Sequence, residues 1–303
     1  MKESKKIFLI PYEFKETLTH NTEIPRGVDM VGATNLWNKD VMGENVVIAV
    51  IDTGCQIDHP DLVANIVGGR NFTPDYDGDV DNYDDNLLHG THVAGTIAAS
   101  LNNSGVVGVA PKAKLLILKA ISISGHGSYD YLIEAIIYAV QWRGESGERV
   151  RIITMSLGGY KDDKNLHEAI KLACKENILV ICASGNLGDN DLETDEIMYP
   201  GYYEEVVEVG AIDFDNMLAP FSNTNGQIDL YAPGVGIIST SPQNTYAEMS
   251  GTSMAVPHVA GAAALIISKF EKMTSRFMEE HEIFKELCKN TQLHNNFKIL
   301  SLK

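Results

Sequence analysis

The sequence is short of positive charge. Its 303 residues carry 24 lysines and arginines against 41 aspartates and glutamates, a formal net charge of -17. Such a chain repels nucleic acid and anionic membrane, so neither is expected as a general partner. An acidic surface suits cations, although most such charge is simply hydrated. Long apolar runs are also missing. No stretch reaches the ~18 apolar residues of a membrane-spanning helix, and none is expected. The apolar part of "IFLIPYEF", residues 7–10, falls short of the roughly 7–15 residues in the hydrophobic region of an export signal. Cysteine is scarce: Cys55, Cys174, Cys182 and Cys288 are scattered without metal-type spacing. With no export signal they read as free thiols in a reducing cytoplasm. Internal repeats are absent, and linker-like composition does not occur before a polar tail beyond about Lys269. One domain is the simplest organisation.

What is present is a regular alternation of two patterns. "NVVIAVIDTG" (45–54), "AKLLILKAIS" (113–122), "VRIITMSLGG" (150–159), "ILVICASGN" (178–186) and "EVVEVGAID" (205–213) are apolar, mostly β-branched runs that read as buried strands. "HGTHVAGTIAAS" (89–100), "YDYLIEAIIYAVQWR" (129–143), "NLHEAIKLACKEN" (165–177) and "SMAVPHVAGAAALIISKF" (253–270) read as helices. Strands alternating with helices predict an α/β fold, a mainly parallel sheet with helices on both faces. Sites in such sheets lie at the carboxyl ends of strands. Three strand ends here carry polar punctuation: Asp52-Thr53-Gly54, residues 156–159 and Ser184-Gly185-Asn186.

Three segments supply a carboxylate, an imidazole and a hydroxyl: Asp52 in "VIDTG", His89 in "HGTHVAGT" and Ser253 in "SGTSMAVPH". A serine hydroxyl is a poor nucleophile until a base takes its proton, and the base needs a carboxylate to fix its tautomer. Each element alone has a plainer reading. Asp-Thr-Gly is also a strand-end turn, His89 and His92 at i and i+3 are half of a metal site lacking a third ligand, and Gly-Thr-Ser is also a helix cap. Asn186 by itself is also a turn residue.

Together, in the order Asp, His, Ser, and with "GVVGVAP", "MSLGG", "ASGN", "YAPG" and "GTSMAVPHVAG", these segments resemble the subtilisin-like serine proteases, the subtilases, from about residue 25 to about 270. The resemblance implies Asp52 as the orienting carboxylate, His89 as general acid/base, Ser253 as acylated nucleophile and Asn186 as side-chain donor of the oxyanion hole. His92 is then the structural histidine. It further implies that Ser156, Leu157 and Gly158 pair with the substrate backbone and wall the primary pocket. Gly125, His126 and Gly127 form the opposing edge. Tyr129 either roofs a more distal subsite or packs on the core. Two places depart from the usual pattern: Val256 replaces a small residue, and Leu87 and Leu88 precede His89.

The resemblance also implies structural Ca²⁺ in the loop "LNNSGVVG", with Ser100, Asn102, Ser104, Val106 and the Asp61 carboxylate as ligands. The acidic stretch 75–85, with six aspartates, reads as a second cation loop or as solvated surface. The tail from Arg276 reads as one amphipathic helix and a short apolar end, packing on its own core or on a second copy as a homodimer. The missing export signal, "DTGC" and an N-terminal Leu-Ile-Pro-Tyr make the chain most similar to the intracellular subtilisins of bacilli. An enzyme of that kind needs restraint, and an extended segment fits the clamp between residues 124–127 and 156–159. Leu9, Ile10 and Tyr12 would fill successive pockets, while Pro11, lacking an N–H, would bend the segment away from Ser253. The expected organisation is an inhibitory extension (1–24), a catalytic region (25–275) and a C-terminal helix and tail (276–303). The expected activity is cytoplasmic endopeptidase action on proteins or peptides. A non-catalytic binding protein or a serine esterase on the same fold are the rivals.

Overall fold

The strand Val47–Asp52 (VIAVID) is buried at every position, and a strand with no polar face must be covered on both sides. This is the organising element of the computed structural model, which describes residues 6–18 and 24–303. Residues 1–5 and 19–23 of the expected extension therefore lie outside the described residues. Among the described residues, nine strands form one sheet in the order Thr291–His294, Phe297–Leu300, Leu230–Pro233, Val206–Ile212, Leu179–Ala183, Val150–Met155, Val47–Asp52, Lys114–Lys119 and Ile66–Asn71. Every neighbouring pair is parallel except the first, which is a hairpin.

Alternation along Val47–Asp52 divides the core. Ile48 and Val50 point into the cluster under the helices His89–Ala98 and Thr252–Thr274. Val47, Ala49 and Ile51 point into the cluster under Tyr129–Gln141 and Lys164–Lys175. The helix Thr252–Thr274 is long and apolar enough to cross a membrane, yet its apolar stretch is almost wholly buried among the other elements. Val256 is fully buried there, so its departure from the usual small residue is a matter of packing.

The tail carries the expected helix and, beyond it, a hairpin that was not expected. A helix, Glu280–Lys289, is present and buries Ile283 and Leu287. Residues after it form the hairpin Thr291–His294 and Phe297–Leu300, which turns at Asn295 (φ 47) and Asn296 (φ 70) and extends the main sheet. Positive φ at both central residues is the geometry of a tight hairpin turn, which asparagine tolerates. The apolar end is thus the second strand of the chain's own sheet, between the edge strand Thr291–His294 and Leu230–Pro233.

One strand residue breaks the apolar pattern. Glu208, in Val206–Ile212, is fully buried, and only one of its carboxylate oxygens accepts a hydrogen bond, from Asn225 Nδ2 at 3.1 Å. Burial, with Asp229 adding to it, pushes the Glu208 carboxyl up to about 8. A raised folded-state value means that stability is present below about pH 4.5 and is lost as pH rises towards 8. Glu208→Gln is therefore expected to raise the melting midpoint at pH 9 by at least ~4 °C and to change it little at pH 4. Thermal melts at the two pH values check this.

Candidate active site

Asp52 ends its buried strand, and its backbone oxygen accepts from Ala120 and Ile121 N–H at 3.0 and 3.1 Å. One carboxylate oxygen accepts from Thr53 N–H at 2.7 Å and meets His89 Nδ1 at 2.7 Å. Both side chains are shut off from solvent. The turn that follows is held to the helix bearing His89. Thr53 Oγ1 donates to Asp85 at 2.9 Å and accepts from Gly90 N–H at 2.9 Å. Asp85 also accepts from Leu87, Leu88 and Thr91 N–H and from the Thr91 hydroxyl, at 2.7–3.0 Å. It therefore serves as the N-terminal cap that the helix otherwise lacks. Two glycines make the approach possible: a Cβ on Gly90 would lie 2.1 Å from Gly54 O, and Gly54 itself has φ +105°.

Ser253 is the second residue of Thr252–Thr274. Its Oγ donates to Ser156 O at 3.3 Å, and His89 Nε2 is buried with no hydrogen-bond partner. Asn186 lies opposite. Its Oδ1 accepts from Thr252 N–H at 2.9 Å and Thr252 Oγ1 at 2.8 Å. Those two donors fix the amide so that Nδ2 faces the cleft, where it donates to Pro11 O. Sequence reasoning missed Thr252; its only signal was its place in "GTS". His92 is buried with Nε2 on Ile237 O and Ala247 O at 3.0 and 3.1 Å. Burial pushes it down to about 3, so it is neutral and structural.

The expected binding edges come together as one clamp. The segment Lys6–Leu9 lies between them, antiparallel to both His126–Ser128 and Leu157–Gly158. Leu9 N–H donates to Gly125 O at 3.0 Å. The pocket assignment within the segment shifts. Ile7 and Ile10 are fully buried, whereas Leu9 and Tyr12 are half-buried. Ile7 shares a cluster with Tyr129, which is itself buried and donates to Lys161 O at 2.8 Å. Tyr129 thus belongs both to the core and to the floor beneath the segment. The Tyr12 ring covers the His89 imidazole at 5.1 Å. Glu13–Leu18 then pairs with Thr245–Ser250, just ahead of Ser253. That strand had no sequence signal, because five of its six residues are exposed.

A carboxylate-oriented imidazole, a helix-mouth serine and a fixed amide donor are the parts that acyl transfer requires. The description of the subtilase family matches residues 43–299. The chain belongs to the subtilase family. It is 51% identical to an "Intracellular serine protease" of Paenibacillus polymyxa over 95% of this chain and 86% of that protein. It is 47% identical to the "Major intracellular serine protease" of Bacillus subtilis (strain 168), over 94% and 88%. To "Subtilisin E" of the same organism it is 40% identical, over 91% and 70%. This subtilase is a serine endopeptidase with the mostly parallel α/β sheet of that family.

The calcium loop of this subtilase departs from expectation. Asp61 is buried, and both of its carboxylate oxygens already accept. One takes Asn102 Nδ2 at 2.9 Å, and the other takes Val106 N–H and the Tyr246 hydroxyl, each at 3.1 Å. Ser100 N–H donates to Asp61 O at 2.7 Å, and Ser104 N–H to Asn102 Oδ1 at 2.9 Å. Ca²⁺ takes six to eight oxygens, and this carboxylate meets N–H and O–H groups instead, so the residues as arranged do not fit the ion. Among the described residues, no three His, Cys, Asp or Glu side chains gather as metal ligands. The acidic stretch is not uniformly solvated either: Asp75 is ion-paired with fully buried Lys119 at 3.2 Å. Lys119 also donates to Thr53 O at 2.6 Å and Asn86 Oδ1 at 2.9 Å, bracing the turn after Asp52.

Proposed function

We propose that Ser253 is the nucleophile, His89 the general acid/base, Asp52 its orienting carboxylate and Asn186 the oxyanion donor of an intracellular endopeptidase. The observation that carries this is the 2.7 Å His89–Asp52 contact, together with the Asn186 amide held by Thr252, the residue before Ser253 at the helix mouth. In the reaction Ser253 Oγ attacks the peptide carbonyl as His89 takes its proton. Asn186 Nδ2 and the helix-mouth N–H of Ser253 stabilise the oxyanion. His89 then protonates the leaving amine, and water hydrolyses the acyl-enzyme by the same steps. Asn186→Ala is expected to lower kcat on a peptide substrate by at least ~10²-fold with KM nearly unchanged; an equal loss through KM alone would sink the oxyanion role. Casein cleavage separates this activity from that of a small-ester hydrolase.

We also propose that residues 9–12 restrain the enzyme. What supports this is the strand Lys6–Leu9 between both binding edges and Pro11 O against Asn186. The substrates are proteins or peptides, and the place of action is the cytoplasm, a reading supported by the names of the two intracellular relatives. The reading does not require a second subunit.

A further inference from the structure

Two neighbouring parallel strands, Val150–Met155 and Leu179–Ala183, part at their carboxyl ends beside Ser253. One continues through Ser156, Leu157 and Gly158, the other through Ser184, Gly185 and Asn186. Ser253 Oγ is bonded to the first end and Thr252 to the second. A peptide paired along Leu157–Gly158, with its carbonyl at Asn186 Nδ2, sends the side chain before the scissile bond into the gap between these two ends. Glycine on both walls, Gly158 and Gly185, leaves that gap free of side chains from the walls themselves.

The gap is filled from below. Met198 is 1% exposed. A Cβ on Gly158 would lie 2.7 Å from Met198 Cε, and one on Gly185 would lie 2.6 Å from Met198 Sδ. The thioether therefore rests against both glycine walls at once. Its backbone is fastened there too. Gly159 and Tyr199 exchange two hydrogen bonds of 2.8 Å, and Met198 O accepts from Tyr202 N–H at 3.0 Å. On the far wall, Asn223 Nδ2 donates to Ser184 O at 2.7 Å and would lie 2.4 Å from a Cβ on Gly185, so the thioether cannot swing out past that wall.

We infer that Met198 fills the primary specificity pocket and makes this enzyme select short side chains before the scissile bond over aromatic ones. The inference rests on the protease reading above. A phenyl ring needs the slot between the glycine walls, and with Met198 in it the ring must displace a packed side chain or stay outside. Ala needs neither.

The test uses the full-length protein, incubated until its casein activity is constant. Peptides that differ only in Ala or Phe before the scissile bond are then compared by kcat/KM. Expected is at least a tenfold preference for Ala, and a rise of at least ~30-fold in the Phe-to-Ala ratio in Met198→Gly, within the range that a few methylenes command in a pocket. Met198→Val, a smaller change less exposed to misfolding, should lie between the two. A wild-type preference for Phe overturns the proposal whatever the variants do. So does a ratio that moves less than threefold in a folded Met198→Val or Met198→Gly. Casein cleaved with the Phe preference overturns the pocket assignment alone, whereas no cleavage of casein or either peptide overturns the protease reading beneath it.

Discussion

Ser253→Ala is expected to lower kcat by about 10⁶-fold and to abolish labelling by a fluorophosphonate. The size follows from what is removed. Without an oxygen there is no acyl-enzyme, and what remains is binding and the donors around Asn186, which support only slow attack by water. The fold should survive. Ser253 is fully buried, but the alanine fits within the same volume, and the bond lost is one at 3.3 Å to Ser156 O. That bond makes a sharper statement possible. In this structure the hydroxyl faces Ser156, and His89 Nε2 has no hydrogen-bond partner. A turn of the side chain between staggered rotamers must bring Oγ to the imidazole before the label can react. Labelling of the full chain should therefore be slow and should quicken when the cleft is emptied. Activity above ~1% of wild type in a folded Ser253→Ala protein would remove Ser253 from the mechanism.

How much of this was legible in the sequence depends on the range of the interactions. Asp52, His89, Asn186 and Ser253 each sit in a short local motif at a strand end or helix start, so the motif order was enough to propose them. The buried runs fixed the strands in the same way. Asp85, Thr252 and Lys119 were not legible. Their partners lie on other segments, and nothing local tells a bridging polar residue from a hydrated one. Asp61 shows a different limit. Asn102 and Val106 were expected to join it as Ca²⁺ ligands and do lie against it, but whether they turn an oxygen or an N–H towards it is decided by the loop backbone. Glu13–Leu18 has no alternation because it is an exposed edge strand, and its partner strand supplies the pairing. The tail hairpin did carry a signal, Asn295-Asn296 between apolar-containing runs, which is the chemistry of a tight turn.

Removing residues 1–12 is expected to raise kcat/KM on a small peptide by about 10³-fold. A tethered segment faces its own cleft at an effective concentration of roughly millimolar. If the same peptide binds in free form with a Kd of about micromolar, the cleft is open only about one part in 10³ of the time. The cut belongs after residue 12 for a structural reason. Glu13–Leu18 pairs with Thr245–Ser250, and Lys15 bonds Glu248 at 2.9 Å, so that strand holds the approach to Ser253 and should stay. What leaves is the clamp strand Lys6–Leu9, the buried Ile7 and Ile10, the Pro11 carbonyl at Asn186 and the Tyr12 ring over His89. Under the proposed restraint each of these occupies a position that substrate must take. The segment is then expected to resist cutting, because Pro11 offers no N–H and a fixed φ, while Tyr12 covers the base and Ser253 faces Ser156. Pro11→Ala should relax the first restraint, and mass spectrometry should then find the full chain cut in cis within residues 9–12. Activity within threefold of the full chain after the deletion, together with an uncut Pro11→Ala protein, would reduce the segment to an arm that merely lies in the cleft.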